Sequence, residues 1–274
     1  YLNKWAISYK DDIINNIMPF WMKYGLDKEH GGVYTCVNRD GSLMDTTKSV
    51  WFQGRFGFIA AYAYNNIEKN PQWLAASKSC IDFIEAHCFD TDGHMFFEVT
   101  EDGVPLRKRR YVFSEGFAAI AMAEYSLATG EKEYAEKALE IFKRTQHFLD
   151  TPGMLEPKYL PAMSSRGHSI TMILINTASR IRMVIDDPVL TEQIDASIAA
   201  LRKYFIHPEF KALLEMVGPN GEFIDTCNGR VINPGHCIET AWFIMEEAKY
   251  RNWDKDLLQL ALQILDWSWE WGWD

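Results

Sequence analysis

A histidine and a glutamate within one helix-forming stretch are the residues of this sequence best suited to acid–base chemistry. The stretch Asn233–Glu239 reads Asn-Pro-Gly-His-Cys-Ile-Glu, and it predicts the start of a helix because asparagine is a favourable N-cap and proline suits the first helical position. His236 then lies in the first turn, and Glu239 lies on the same face. The positive end of the helix dipole disfavours an imidazolium, so we expect a neutral His236 that can act as a general base. The same pattern also fits a buried histidine that helps to cap a helix.

Composition excludes several classes of partner. The chain has 274 residues, of which 47% are hydrophobic, and a net charge of −10, so it can bury a large core but offers no basic surface for nucleic acid or an anionic membrane. No apolar run is long enough to span a bilayer. The five cysteines form no metal-ligand spacing, and they indicate the reduced thiols of a cytoplasmic protein.

Hydrophobic periodicity predicts eight helices that alternate between two kinds. Four are apolar around most of their circumference, which predicts burial, and four carry a single apolar stripe, which predicts a surface position. The first kind comprises Asp45–Glu68, Phe113–Leu127, Ser169–Ile185 and Pro234–Tyr250, and the second comprises Pro71–Cys88, Glu131–Leu149, Thr191–Phe205 and Lys255–Trp269. This alternation predicts an all-α protein with concentric helical layers.

Short strand-like runs that end in Asp-Gly or Asn-Gly turns separate the helix pairs and predict small hairpins. The turn glycines Gly41, Gly103 and Gly221 are 62 and 118 residues apart, close to one and two units of about 60 residues. We expect a further link near Glu156–Ser165. A ring of six such units needs about 360 residues, so residues 1–274 are expected to form one helical-barrel domain without its last helical hairpins.

Three segments together resemble the N-acylglucosamine 2-epimerase family, which is akin to cellobiose 2-epimerases and mannose isomerases. They are Asp45–Arg55, which ends in Trp-Phe-Gln-Gly-Arg, then Tyr111–Phe117, which contains Phe-Ser-Glu-Gly, and Gly229–Trp242, which contains Asn-Pro-Gly-His-Cys-Ile-Glu. The resemblance covers the whole chain in order. It implies an (α/α)6 barrel, a toroid of six helical hairpins, with the active site at one end of the inner helices.

The resemblance also implies a reaction, namely reversible removal of the proton at C2 of an open-chain sugar without a metal or redox cofactor. In that family the histidine of the Pro-Gly-His-x-x-Glu motif is a catalytic base, and this role falls to His236. A second catalytic histidine belongs to a tryptophan-rich segment further downstream, so we expect the second base beyond Asp274. ATP as an allosteric effector and assembly into a homodimer are left open.

Two more residues are candidates for the chemistry itself. Arg55 lies in the apolar stretch Val50–Tyr64, where an unpaired charge is costly, so it should enter a polar pocket or meet a carboxylate. Its planar set of donors suits the oxyanion of an enediolate, and the alternative is a structural pair with a buried acid. Glu239 would orient His236 or bind a sugar hydroxyl, and the alternative is an ion pair along its helix.

Three residues are candidates for substrate binding. Trp51 lies one turn before Arg55 and suits stacking on a sugar ring, although it could equally belong to the core. Glu115 lies near the start of an apolar helix, where it would bind substrate or simply favour the helix dipole. His168 precedes a buried helix and would face the pocket or be a satisfied structural histidine.

The reaction favoured by these residues is the interconversion of N-acyl-D-glucosamine and N-acyl-D-mannosamine through an enediolate. An aldose–ketose isomerase of the mannose isomerase type, or a cellobiose 2-epimerase, would use the same first step. A glycoside hydrolase would need two suitably spaced carboxylates, for which Glu115 and Glu239 are the available pair. A non-catalytic sugar- or protein-binding role is the remaining alternative.

Overall fold

The computed structural model describes residues 2–108, 111–156 and 164–273. Its helices are α1 (Leu2–Asp12), α2 (Met18–Tyr24), α3 (Val50–Asn66), α4 (Pro71–His87), α5 (Phe113–Thr129), α6 (Lys132–Asp150), α7 (His168–Arg182), α8 (Pro188–Ala200), α9 (Pro234–Tyr250) and α10 (Lys255–Trp271). The π-helical turns Ile13–Ile17 and Leu201–Phe205 follow α1 and α8. All eight predicted helices are present, and α9 has the predicted bounds.

Short strands decorate the helices. They are β1 (Cys36–Val37), β2 (Leu43–Asp45), β3 (Lys48–Ser49), β4 (Phe96–Val99), β5 (Pro105–Lys108), β6 (Arg166–Gly167), β7 (Ile206–His207), β8 (Ala212–Leu213) and β9 (Met216–Val217). Antiparallel pairs join β1 to β2, β4 to both β3 and β5, β6 to β9, and β7 to β8. The strand β3 occupies positions that the sequence predicted as helix, so α3 begins five residues later than expected.

The chain divides into two compact units, which are described separately. The first covers described residues 2–156 together with Met183–Ile185, and the second covers described residues 164–182 and 186–273. In the first unit α3 packs on α4 and α5, and α5 packs on α6; in the second, α9 packs on α10, and α7 packs on α8 and α9. These are the sequential helical hairpins that the periodicity predicted, whereas the single domain over residues 1–274 stays a prediction.

One expectation about burial is wrong. The apolar helix α3 was predicted to be enclosed, yet Phe52 and Ile59 are 46% and 49% exposed, and Arg55 between them is exposed as well. These positions form one stripe along the helix, while the opposite face packs on its neighbours. An apolar composition therefore does not bury every face of a helix. Arg55 lies on the unburied face, where its charge contacts solvent.

All three turns form at the predicted glycines, but one of the three predicted hairpins does not form. Gly41, Gly103 and Gly221 have φ angles of 89°, 93° and 95°, in the left-handed region that glycine adopts without steric cost. The first two turns close the predicted hairpins β1–β2 and β4–β5. At the third, the turn forms but β9 pairs with β6 in the sequence-distant register Gly167↔Met216, because the residues after Gly221 form no strand.

Two further sequence predictions concern a link between helices and membrane spanning. The predicted link near Glu156–Ser165 falls largely on 157–163, which lie outside the described residues. Within the described residues, none of the helices combines the length and apolarity needed to cross a membrane.

Candidate active site

The first turn of α9 holds His236 in place. The side-chain oxygen of Asn233 accepts a hydrogen bond from the backbone N–H of His236 at 3.3 Å, and Pro234 is the first helical residue. This is the predicted N-cap, which satisfies a backbone donor that the helix itself leaves free. The side chain of His236 remains 35% exposed, so a small molecule can reach its ring.

The residue just before a strand supplies the carboxylate that binds this histidine. Glu215 directly precedes β9, where its backbone carbonyl accepts from the N–H of His168 at 3.0 Å and its own N–H donates to the carbonyl of Val231 at 3.3 Å. Its two carboxylate oxygens lie 3.1 and 3.0 Å from Nδ1 of His236. A carboxylate can only accept, so Nδ1 of His236 carries a proton and Nε2 is left as the basic nitrogen.

The pKa values of Glu215 and His236 depend on each other, and that of His236 differs from the sequence prediction. Burial alone would raise the pKa of Glu215, but the neighbouring imidazoles of His168 and His236 lower that pKa to about 2. The hydrogen bond to Glu215 in turn raises the pKa of His236 above its usual value, against the opposing effect of burial. The expected bias of His236 towards its neutral form is therefore wrong, because a carboxylate at 3.0 Å outweighs the end of a helix dipole.

His168 lies behind this pair and has no exposed surface. Its Nε2 is 2.9 Å from Oγ1 of Thr240, whose hydroxyl donates to the carbonyl of His236 at 2.8 Å. Because that hydroxyl has one proton, Nε2 of His168 must be the donor to Thr240. Nδ1 of His168 lies 3.6 Å from Oε2 of Glu215 and has no hydrogen-bond partner among the described residues.

In the first unit, two candidates share one aromatic neighbour. The guanidinium of Arg55 lies 4.4 Å from the centre of the Phe117 ring, and the Trp51 ring lies 5.8 Å from that of Phe117. Trp51 also packs against Phe97 and Phe113. The alternative pairing of Arg55 with a buried carboxylate does not occur within the described residues; its guanidinium lies over an aromatic ring instead.

The surroundings of Glu115 and Glu239 differ from those that the sequence predicted. Glu115 is 1% exposed, and its Oε1 accepts from the N–H of Met95 at 2.9 Å. Glu239 is partly exposed and raises the pKa of His236 by its charge, but Glu215, not Glu239, hydrogen-bonds the ring. The prediction that Glu239 orients His236 is therefore wrong. Sugar binding by Glu239, Glu115 and His168 stays a prediction, as does sugar binding by Trp51.

Sequence reasoning missed Glu215 and Thr240. The only available signal for Glu215 was an acid inside the apolar run Ala212–Val217, where a charge needs a partner. Nothing in the sequence indicated which partner, because the β6–β9 pairing places Glu215 beside His168 and the packing of α7 on α9 brings His236 to the same point. Among the described residues, His168, Glu215 and His236 also form a potential ligand set, with one donor atom of each within 4.8 Å of the others.

A partly exposed histidine held by a carboxylate at the start of a helix is an arrangement suited to general acid–base chemistry. Residues 32–274 match the family model for N-acylglucosamine 2-epimerase (GlcNAc 2-epimerase), and the chain belongs to this family of isomerases.

Relatives and solved structures agree with this assignment. The N-acylglucosamine 2-epimerase of Homo sapiens is 30% identical over 240 residues, which are 85% of this chain and 56% of that protein. That of Bos taurus is 28% identical over 277 residues, 97% of this chain and 66% of that protein. The chain therefore spans about 56–66% of the length of these relatives.

The solved structures establish the fold. A cellobiose 2-epimerase from Bacillus thermoamylovorans superposes with a TM-score of 0.85 at 20% identity, over 96% of this chain and 71% of the other. A D-mannose isomerase gives 0.80 at 16% identity, over 97% and 71%. The fold class is thus the predicted one, all-α and of the (α/α)6 barrel type.

Proposed function

We propose that this chain contributes a catalytic base to a sugar 2-epimerase that interconverts N-acyl-D-glucosamine and N-acyl-D-mannosamine. The family model and the mammalian relatives support the substrate class. The observation that carries the chemistry is the bond between His236 and Glu215, which leaves Nε2 of an accessible imidazole free to take a proton.

His236 performs the first step in this proposal. After the sugar ring opens, Nε2 removes the C2 proton next to the aldehyde, and the ring becomes an imidazolium. The negative charge of Glu215 stabilises that cation through the Nδ1 hydrogen bond, as the carboxylate of a catalytic triad does. Glu239, on the same face of α9, is suited to bind a sugar hydroxyl because its carboxylate has no hydrogen-bond partner among the described residues.

The enediolate formed by proton loss needs a counter-charge. The assignment of this role to Arg55 stays a prediction from the sequence; within the first unit its guanidinium lies over the Phe117 ring and makes no ion pair with any described residue. A cation–π contact of this kind leaves the guanidinium N–H groups available to donate to an oxyanion. Reprotonation from the opposite face then requires a second acid–base group, as epimerisation does in general.

The rival reactions share the first step and differ in the product. A ketose isomerase returns the proton to C1, and a cellobiose 2-epimerase acts at C2 of a disaccharide. The fold alone is common to this chain and to both kinds of structure. A hydrolase that used Glu115 would need a carboxyl that reaches its substrate, whereas Glu115 is 1% exposed and hydrogen-bonded to the backbone.

Proton exchange tests the proposal directly. The protein is incubated in D2O with N-acetylglucosamine, N-acetylmannosamine, mannose or cellobiose, and C2 deuteration and products are followed by NMR. We expect deuterium at C2 of the N-acetylated sugars, and its loss in His236→Ala with an unchanged circular dichroism spectrum. Exchange that survives His236→Ala at the normal rate would remove the proposed base, and a 2-ketose product would replace the epimerase by an isomerase.

A small-sugar substrate, a cytoplasmic location and independence from metal or redox cofactors complete the proposal. The location is supported by all five cysteines being free thiols. An ATP effector and a homodimer stay predictions, which ATP titration of the exchange rate and sedimentation of the purified protein would test.

A further inference from the structure

The second unit places two imidazoles and a carboxylate around one point. One donor atom each of His168, Glu215 and His236 lies within 4.8 Å of the other two. The Nδ1 atoms of His168 and His236 are 3.6 and 3.0 Å from the same oxygen, Oε2 of Glu215. At metal–ligand bonds of about 2.1 Å, neighbouring donors of a tetrahedral site are about 3.4 Å apart. Small side-chain shifts would therefore let all three share a cation.

An unsatisfied buried nitrogen points to such a cation. His168 has no exposed surface, and its Nδ1 has no hydrogen-bond partner among the described residues. Because Nε2 donates to Thr240, a neutral His168 presents a lone pair at Nδ1 towards the carboxylate of Glu215. Two acceptors facing each other in a buried site are unfavourable. Either a proton or a metal ion between them removes the conflict.

The surroundings of His168 favour the metal ion. Histidines that bind metals usually donate their other ring N–H to a neighbouring acceptor, which fixes the ring and its tautomer. Thr240 does this at 2.9 Å, and its own hydroxyl is fixed by the carbonyl of His236. Two imidazoles and one carboxylate are a ligand set of the zinc type, whereas magnesium and calcium prefer oxygen ligands. The exposed side of His236 leaves a further position to solvent.

We propose that His168, Glu215 and His236 bind a divalent transition-metal ion of the zinc class, and that the bound ion inhibits proton abstraction by His236. A neutral imidazole has one ring proton, so a metal on Nδ1 leaves that proton on Nε2, the atom assigned to accept the C2 proton. Metal binding and base function thus exclude each other. The inhibition rests on the proposed function, while the binding does not.

Cobalt(II) is the probe for binding, since its visible spectrum reports nitrogen ligation. Protein freed of metals by a chelator is titrated with Co2+ and then with competing Zn2+. We expect about one cobalt ion per chain and its displacement by Zn2+. We expect the cobalt affinity to be reduced tenfold or more in Glu215→Gln and in His168→Gln, because loss of a ligand should reduce affinity at least as much as loss of a residue that supports a ligand.

The matched control is Glu209→Gln. Glu209 also hydrogen-bonds Nδ1 of a histidine, His207, at 2.8 Å. No third potential metal ligand among the described residues lies close to that pair. We expect wild-type cobalt affinity for this variant. Equal affinity in Glu215→Gln and wild type, or no cobalt spectrum at all, would overturn the metal site and assign a proton to Nδ1 of His168. If His168→Gln fails to fold by circular dichroism, the partly exposed Glu215 decides the result.

Inhibition is measured by C2 exchange during the Zn2+ titration. We expect exchange to fall in step with site occupancy and to return when a chelator removes the ion. Full exchange with the site occupied would overturn the mutual exclusion. Absence of exchange in the metal-free protein would instead count against the proposed function, while the cobalt result would still stand for the binding site.

Discussion

Glu115 offers a quantitative test because its environment changes its ionisation. Burial raises the pKa of this carboxyl from 4.5 to about 7, and the hydrogen bond from the Met95 N–H only partly opposes that effect. The native state therefore binds a proton that the unfolded state has lost between these two pH values. The free energy of unfolding must fall as pH rises from 4.5 to 7, and no further penalty accrues above 7.

The size of this effect follows from the pKa shift. A difference of about 2.5 units at 1.36 kcal/mol per unit is roughly 3 kcal/mol. Glu115→Gln removes the titration, so the difference in unfolding free energy between variant and wild type should grow by about 3 kcal/mol from pH 4.5 to pH 8 in favour of the variant. A constant offset of about 1–3 kcal/mol against the variant is expected, because Oε2 has no partner and a buried amide N–H2 there would be unsatisfied.

Urea unfolding at a series of pH values, followed by circular dichroism, measures this difference. The change with pH is diagnostic, because the offset from the amide is the same at every pH. Curves for variant and wild type that run parallel from pH 4.5 to pH 8 would refute the reasoning. If Glu115 instead binds substrate, as the sequence suggested, the variant should raise KM for the sugar.

Two further predictions concern the base and the helix packing. Glu215→Gln should slow C2 exchange about 10- to 100-fold with little change in KM, because a charge-assisted hydrogen bond to His236 worth about 1.5–3 kcal/mol is weakened; an unchanged rate constant would contradict this role. Gly54→Ala should lower the free energy of unfolding by about 1–3 kcal/mol, since the new Cβ would lie 2.6 Å from the backbone carbon of Phe117. Gly57→Ala on the same helix is the control, because its nearest contact is a side chain at 3.3 Å and the gain of about 1 kcal/mol in helix propensity offsets that crowding; equal destabilisation by both would contradict the packing argument.

The parts of the fold that local sequence determines were predictable. The start of α9 follows from Asn233 and Pro234, and the turns at Gly41 and Gly103 follow from the need for positive φ. Both kinds of signal act within a few residues. Burial of α3 was predicted less well, because the hydrophobicity of Phe52 and its neighbours does not say which face has a partner.

Residues brought together by distant pairing were not predictable. The strand pairing Gly167↔Met216 joins positions 49 apart, and it is this pairing that places Glu215 beside His168. A two-residue strand has too little alternation for its partner to be read from the sequence. His236 could be recognised from its motif, but the carboxylate that orients it could not.

The choice of Glu215 over Glu239 as the partner of His236 follows from how each is held. Glu239 lies three residues away on the same helix, at the end of a flexible side chain that solvent reaches. Glu215 is placed beside His168 by backbone hydrogen bonds to His168 and Val231 on either side, so its carboxylate lies close to both imidazoles. The residue just before β9 therefore supplies the carboxylate that sets the tautomer of His236, and Glu239 on the helix stays available for a ligand. This division explains why a motif that contains both His and Glu need not use them as a pair.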